Sequence, residues 1–190
     1  MKALEEKILK EGQVLPGNVL KVGSFLNQQV DAVFLKEMAK ETRRLFSGER
    51  ITKVLTVEAS GIAFATAVAM ELGVPMVFAK KHPSANVSGE QYSAAVYSYT
   101  HKQTYNVAVT KDYLSAADRV LITDDFLAGG NALKGLIDIA NQAGAEVVGR
   151  CAEIEKGFQG GGDELRAKGY KVESLAIIES MNESEISFRK

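Results

Sequence analysis

Hydrophobic positions fall along this chain in two rhythms, the three-to-four spacing of helices and the short apolar runs of buried strands. The opening MKALEEKILKEG alternates charge, with Leu4 and Ile8 at helical spacing. Asp31 stands where it can cap a helix whose apolar face runs through Leu35, Met38, Thr42 and Leu45. The β-branched run at 51–57 predicts a strand, and Ser60-Gly61 then turns the chain into an alanine-rich helix that Gly73 closes. Residues 76–79 predict a short apolar strand. Residues 80–91 are polar, contain Pro83 and Gly89, and predict a long mobile loop. The stretches 92–99 and 105–110 predict two strands that pair across a THKQT turn. Further strands are predicted at 119–123, 146–154 and 170–178, with a helix from about 131 to 143 closed by Gly144.

Strands alternating with helices predict an α/β fold, a parallel sheet covered on both faces. Ligands bind such sheets beyond the carboxyl ends of the strands. Three loops leave those ends, after Val57, after Thr123 and after Ile154. A length of 190 residues with no repeat, low-complexity stretch or linker predicts one domain spanning 1–190.

Composition narrows the class. Hydrophobic residues make up 46% and charged residues 25%, as in ordinary soluble proteins. The net charge of -1 provides no global field toward nucleic acid or an anionic membrane, so neither is an expected partner. The N-terminus is too acidic for a signal or transit peptide, which predicts a cytoplasmic protein. Residues 61–79 carry only Glu71 as a charge, but Gly73 and Pro75 interrupt them well short of a spanning helix. A lone cysteine, Cys151, excludes an internal disulfide and a multi-cysteine zinc site, and its apolar surroundings predict an inert buried thiol. His82 and His101 lack metal-ligand spacing, and no G-x-S-x-G elbow occurs.

The most informative segment is VLITDDFLAGGNAL at 120–133, where an apolar strand delivers Asp124 and Asp125, and Gly129-Gly130 then opens a helix. This arrangement suits a sugar phosphate. Free N–H groups at a helix start bind phosphate, and glycine admits the ligand close to the backbone. Carboxylates accept hydrogen bonds from ribose hydroxyls and stabilise positive charge developing on a sugar ring. The same residues also fit a plain strand–helix turn with two solvated aspartates. Neither G-x-x-x-x-G-K-[ST] nor G-x-G-x-x-G after a strand is present.

The segment resembles the phosphoribosyl-pyrophosphate motif of the type I phosphoribosyltransferases, and the resemblance extends over essentially the whole chain. EASGI at 58–62 looks like the family's pyrophosphate loop, and Lys80-Lys81-His82 looks like the start of its mobile catalytic loop. VLKVGSFLNQQVD at 19–31 and IEKGF at 154–158 are similar to the bacterial xanthine branch.

The resemblance implies a Rossmann-like parallel core with a small hood, formed by about 1–30 and 155–190, over the base. It also implies Mg²⁺ bound through phosphoribosyl pyrophosphate rather than at a protein metal site, and a homodimer. Asp124 and Asp125 become the catalytic candidates. Ala128, Gly129, Gly130, Asn131, Ala132, Lys80, Lys81 and Ser60 become phosphoribosyl-pyrophosphate ligands, and Leu20, Asn27 and Lys156 base ligands. Where many relatives have Thr-Gly-Gly-Thr, this chain has Gly129-Gly130-Asn131-Ala132, which removes two hydroxyl donors. Ala128 stands where hypoxanthine–guanine relatives carry an aspartate, and matches the adenine and xanthine branches.

The reaction implied is transfer of a phosphoribosyl group to a purine, with xanthine ahead of guanine, hypoxanthine or adenine. The competing reading is a non-catalytic regulator that senses the same sugar and binds nucleic acid. Such a regulator needs a basic face or an added module. With 23 basic against 24 acidic residues and no extension ahead of the domain, the sequence predicts neither. Tyr92, Tyr97 and Tyr99 fit either packing within a hairpin or closure over the sugar.

Overall fold

In the computed structural model, which describes residues 1–81, 89–98 and 103–190, the apolar runs of the sequence assemble into one six-stranded sheet. Its inner strands are β3 (Lys53–Val57), β7 (Arg119–Leu127), β8 (Glu146–Lys156) and β9 (Val172–Met181), flanked by β4 (Met76–Ala79) and β10 (Ile186–Phe188). The spatial order is β10-β9-β8-β7-β3-β4, and all neighbours are parallel except the β10 edge, which is antiparallel. The expected parallel sheet is therefore present with one antiparallel strand added. Smaller two-stranded sheets pair β1 (Gln13–Leu15) with β2 (Val19–Lys21), and β5 (Gln91–Ser98) with β6 (Gln103–Thr110).

Helices cover both faces because each presents an apolar stripe to the sheet. On one face lie α1 (Lys2–Glu11), α2 (Ala32–Leu45) and α3 (Gly61–Leu72), whose Leu4, Ile8, Met38, Phe64 and Val68 pack with Val54, Leu121 and Ile154. Asp31 caps α2 as expected, accepting from the Phe34 amide at 3.0 Å. Cys151 is buried in this core beside the Thr42 hydroxyl at 3.7 Å, and burial pushes its thiol up to about 12, so it is inert at neutral pH. The second face is covered by α4 (Asn131–Gln142), the β5–β6 hairpin and, at one end, α5 (Gly161–Ala167). Gln142 clamps the hairpin to α4 by accepting from the Ser93 amide (3.2 Å) and donating to its carbonyl (2.8 Å). Gly135 brings α4 against the hairpin so closely that an added Cβ would lie 2.5 Å from Val96.

Two strands run further than their residue types suggest. β7 was expected to stop at Thr123, yet the ladder with β8 continues through Asp124 opposite Ala152 to Leu127 opposite Glu155. β8 likewise runs past Ile154 to Lys156, opposite Ile178 of β9. The backbone, not the side chain, makes the ladder, so polar residues stay in a strand that has a neighbour to pair with. On its other edge β7 pairs with β3 only at Val120, Leu121 and Ile122. Beyond Ile122 a crevice opens between them at the carboxyl end of the sheet.

Of the mobile loop expected over 80–91, residues 82–88 lie outside the described residues, as do His101 and Tyr99, whereas Lys80 pairs with Ala108 and Gln91 already belongs to β5. Among the described residues no helix is long and apolar enough to cross a membrane.

Candidate active site

The crevice is floored by the end of β7. Asp124 is buried and Asp125 more open. One carboxylate oxygen of Asp124 accepts from the Asp125 amide at 3.0 Å. Gly61, the first residue of α3, is what lets the helix approach. A Cβ there would lie 2.5 Å from the Thr56 hydroxyl and 3.0 Å from the Asp124 carboxylate. Burial, and then the negative charge of Asp125, push the Asp124 carboxyl well above the ordinary carboxylate range. Glu153, buried on β8, is raised in the same direction by burial and then by Asp125 and Asp124. The two aspartates therefore differ: Asp124 is a desolvated acid held against ionisation, Asp125 its half-buried partner.

Over this floor the loop after β7 turns into α4. Gly130 carries the turn with a left-handed φ of 78°, a conformation glycine adopts without strain. The first N–H groups of α4 have no intrahelical partner and are available to an anion. A cavity of about 230 Å³ collects these parts. Its lining includes Ser60, Lys81, Asp124, Asp125 and the whole of 128–132. Nine of the thirteen residues singled out in the sequence thus meet in one space.

The other four do not line it. Lys80 is tied by its backbone to Ala108, with both N–H···O distances 2.9 Å. The Leu20 side chain is buried in the α1–α3 core, which leaves only its backbone for a ligand. Asn27 is exposed at the end of a π-helical turn spanning Gly23–Asn27. Lys156 ends β8, and its Nζ donates to the Asn18 carbonyl at 2.8 Å and stands 5.6 Å from the centre of the Phe126 ring. Since Phe126 lines the cavity, Lys156 sits at its edge. Burial lowers its pKa.

Sequence reading missed several residues of the site. Glu58 lines the cavity and accepts from the Lys81 amide at 2.5 Å, which joins the two loops there. Its side chain lay inside the quoted EASGI segment, and the peptide that follows it, Glu58–Ala59, is cis. Tyr105 carries the Lys81 ammonium 5.0 Å from its ring centre, and burial followed by Asp124 raises its phenol. Its signal was its place in the hairpin opposite Val96. Asn131, expected to face phosphate, donates from Nδ2 to the Tyr97 carbonyl at 3.2 Å, which ties the loop to β5.

A parallel α/β sheet with paired acids and an open glycine turn at one strand end is an arrangement that suits a phosphorylated sugar. The model of the phosphoribosyl transferase domain matches residues 25–189, and the chain belongs to that family. It is 54% identical over 192 residues to the xanthine phosphoribosyltransferase of Bifidobacterium longum strain NCC 2705, covering 100% of both chains. It is 52% identical over 190 residues to that of Limosilactobacillus fermentum, covering 100% of this chain and 97% of the relative. Among solved structures, the adenine phosphoribosyltransferase of Giardia lamblia complexed with 9-deazaadenine superposes with a TM-score of 0.79 at 22% identity, covering 94% and 98% of the two chains. The adenine phosphoribosyltransferase of Thermoanaerobacter pseudethanolicus gives 0.74 at 22% identity, with 92% and 98% covered. At that identity the structures establish the shared fold.

Proposed function

We propose that the protein transfers the 5-phosphoribosyl group of phosphoribosyl pyrophosphate to xanthine, giving xanthosine 5'-monophosphate and pyrophosphate in purine salvage. The observation that carries this reading is the single cavity joining Asp124 and Asp125 to the open turn at 128–132, with Lys156 and Phe126 at its edge. Identity of about half the residues to full-length xanthine phosphoribosyltransferases supports the choice of base.

In this reading the 5-phosphate rests on the N–H groups of Gly129, Gly130, Asn131 and Ala132. The ribose hydroxyls face Asp125, and the pyrophosphate lies between Ser60 and Lys81. A purine ring nitrogen displaces pyrophosphate at the anomeric carbon, and the protein's part is to align the two and to stabilise charge on the ring. The purine lies against Phe126, with its 6-oxo group accepting from Lys156 and with Asn27 and the backbone at Leu20 reading the rest of its edge.

Mg²⁺ fits this donor set as an ion that arrives on the diphosphate. Among the described residues no three acidic, histidine or cysteine side chains form a cage for it. Asp125 is the carboxylate open enough to meet it or one of its waters. Bound there, it would supply positive charge to the leaving group.

We assign the hood to about 1–30 and 155–190, a grouping supported by the bond from Lys156 to Asn18. A homodimer in the cytoplasm completes the proposal. The test is nucleotide formation from xanthine, guanine, hypoxanthine, adenine and orotate in parallel, with and without Mg²⁺. Xanthine should lead by at least tenfold in kcat/KM, and all activity should vanish with chelator. Equal use of adenine would overturn the assignment of the base.

A further inference from the structure

Helix α5 contributes nothing to the cavity lining, yet it bears directly on the backbone that forms it. The Gly161 amide donates to the Ala128 carbonyl at 3.2 Å. A Cβ on Gly161 would overlap that carbonyl oxygen, and would come within 2.5 Å of the Gly129 carbonyl carbon and 2.7 Å of the Gly130 nitrogen. The two backbones touch with no side chain between them.

Helix α5 is seven residues long, too short to keep its place by helix propensity. A buried carboxylate holds it instead. Glu155, fully buried on β8, accepts from Arg166 of α5 through two nitrogens, Nη1 at 2.9 Å and Nη2 at 2.6 Å, and from the Ser174 hydroxyl. Gly162 seats the first turn of α5 on this group, since a Cβ there would overlap the Glu155 carboxylate. Arg166 also donates from Nε to the Val172 carbonyl at 3.1 Å, and Lys134 of α4 reaches Glu164 of α5 at 2.7 Å. A planar guanidinium gripping a carboxylate through two bonds fixes orientation as well as distance. The run is continuous: β8 holds Glu155, Glu155 holds α5, and Gly161 of α5 holds the 128–130 backbone.

We propose that Glu155, Arg166 and Gly161 are positioning residues that set the height of the phosphate loop, so that affinity for phosphoribosyl pyrophosphate depends on side chains that never touch it. The proposal rests on the reading of 128–132 as the phosphate site. Glu155 immediately precedes Lys156, so one strand end would place both the loop and the base-reading ammonium.

The test is calorimetric titration of the full chain with phosphoribosyl pyrophosphate and Mg²⁺, alongside KM and kcat. Gly161→Ala should raise the Kd about tenfold or more, as small displacements of a binding group do, with kcat at saturation changed far less. Glu155→Gln and Arg166→Gln should move Kd in the same direction, and decide the matter if Gly161→Ala does not fold. Gly48→Ala, at a position with open space around it, should bind as the parent does. Gly129→Val, in the loop itself, should abolish binding. If Gly129→Val abolishes binding while the folded Glu155, Arg166 and Gly161 variants keep the parent Kd and show only a lower Tm, the positioning role is overturned and the site stands. If Gly129→Val also binds normally, the loop is not the phosphate site and both readings fall.

Discussion

Replacing Lys156 separates base recognition from sugar-phosphate binding. Its ammonium has three hydrogens, one of which is given to the Asn18 carbonyl at 2.8 Å. The others are free for a purine lying on Phe126, whose ring centre is 5.6 Å away. An ammonium donates and never accepts, so it suits a 6-oxo group and opposes a 6-amino group. Removing such a charge-assisted bond costs about 1.5–3 kcal/mol, or roughly ten- to a hundredfold in kcat/KM. Both Lys156→Ala and Lys156→Met lose the bond to the Asn18 carbonyl along with the charge, and Lys156→Met is the cleaner variant because it keeps a side chain of similar length. Both should reduce kcat/KM for xanthine by that factor. The Kd of phosphoribosyl pyrophosphate for the free enzyme should stay within about twofold, since no phosphate contact is lost. Steady-state kinetics on xanthine, hypoxanthine and adenine, with calorimetry for the sugar, provide the measurements. If Lys156→Met weakens sugar-phosphate binding and leaves the order of bases intact, the lysine is a phosphate ligand and the argument from its place at the Phe126 edge is refuted.

Other expectations concern the floor and the frame of the site. Asp124→Asn should lower kcat by about 10²–10³, the loss seen when one preorganised polar group is removed, while raising Tm at pH 7 because a desolvated carboxyl no longer opposes ionisation; parent-like kcat with a lower Tm would make Asp124 structural. The pH dependence follows from the same group. Asp124 and Glu153 have folded pKa values raised above their ordinary 3.8 and 4.5, so the folded state binds more protons in that window, and stability is greatest below it and falls as pH rises through it. Tm of the parent should therefore fall by more than Tm of Asp124→Asn/Glu153→Gln as pH rises above those ordinary values, and parallel curves would refute it. Gly149→Ala, whose Cβ would overlap the Phe46 ring at the far end of β8, should cost about 1–3 kcal/mol in chemical denaturation with KM for both substrates unchanged; a changed KM would mean that the frame transmits strain to the site.

Much of the architecture was legible because it rests on local signals. The 3.6-residue spacing of α2 and its Asp31 cap, the left-handed Gly73 after α3 and the β-branched run of β3 are each readable within a few residues. The nine residues that meet in the cavity were legible for a similar reason, since most belong to two short segments around Ser60 and Asp124. What escaped depended on distant partners. The strand ends at Asp124 to Leu127 and at Lys156 exist because a neighbouring ladder continues there, against the poor strand preference of Asp124, Asp125 and Lys156. β10 is three residues long and is made by its pairing with β9. The bond from the Asn131 amide to a carbonyl thirty-four residues earlier was likewise not readable from its position in the loop. Single-sequence patterns contain no information on such pairings.

The charge pattern of the site poses a physical problem whose solution constrains the order of events. Asp124, Asp125 and Glu58 line the crevice, Glu153 lies buried within electrostatic reach of both aspartates, and Lys81 is the one basic side chain in the cavity lining among the described residues. A diphosphate ester of ribose is itself a polyanion, and like charges in a partly desolvated space repel strongly. Backbone N–H groups at 129–132 offset part of this, but they face only one end of the ligand. On the proposed reading positive charge comes with the ligand, as Mg²⁺ carried by the diphosphate, and would also lower the cost of ionising Asp124 next to Asp125. In that reading the acidic floor would oppose the bare sugar and favour the metal-loaded one, and would be most favourable as the diphosphate departs and positive charge grows on the ring. The burial that raises the Asp124 pKa in the free protein is thus a cost held in the resting state and relieved as the charged ligand fills the crevice, which is why the same aspartate is expected to weaken the fold and accelerate the reaction.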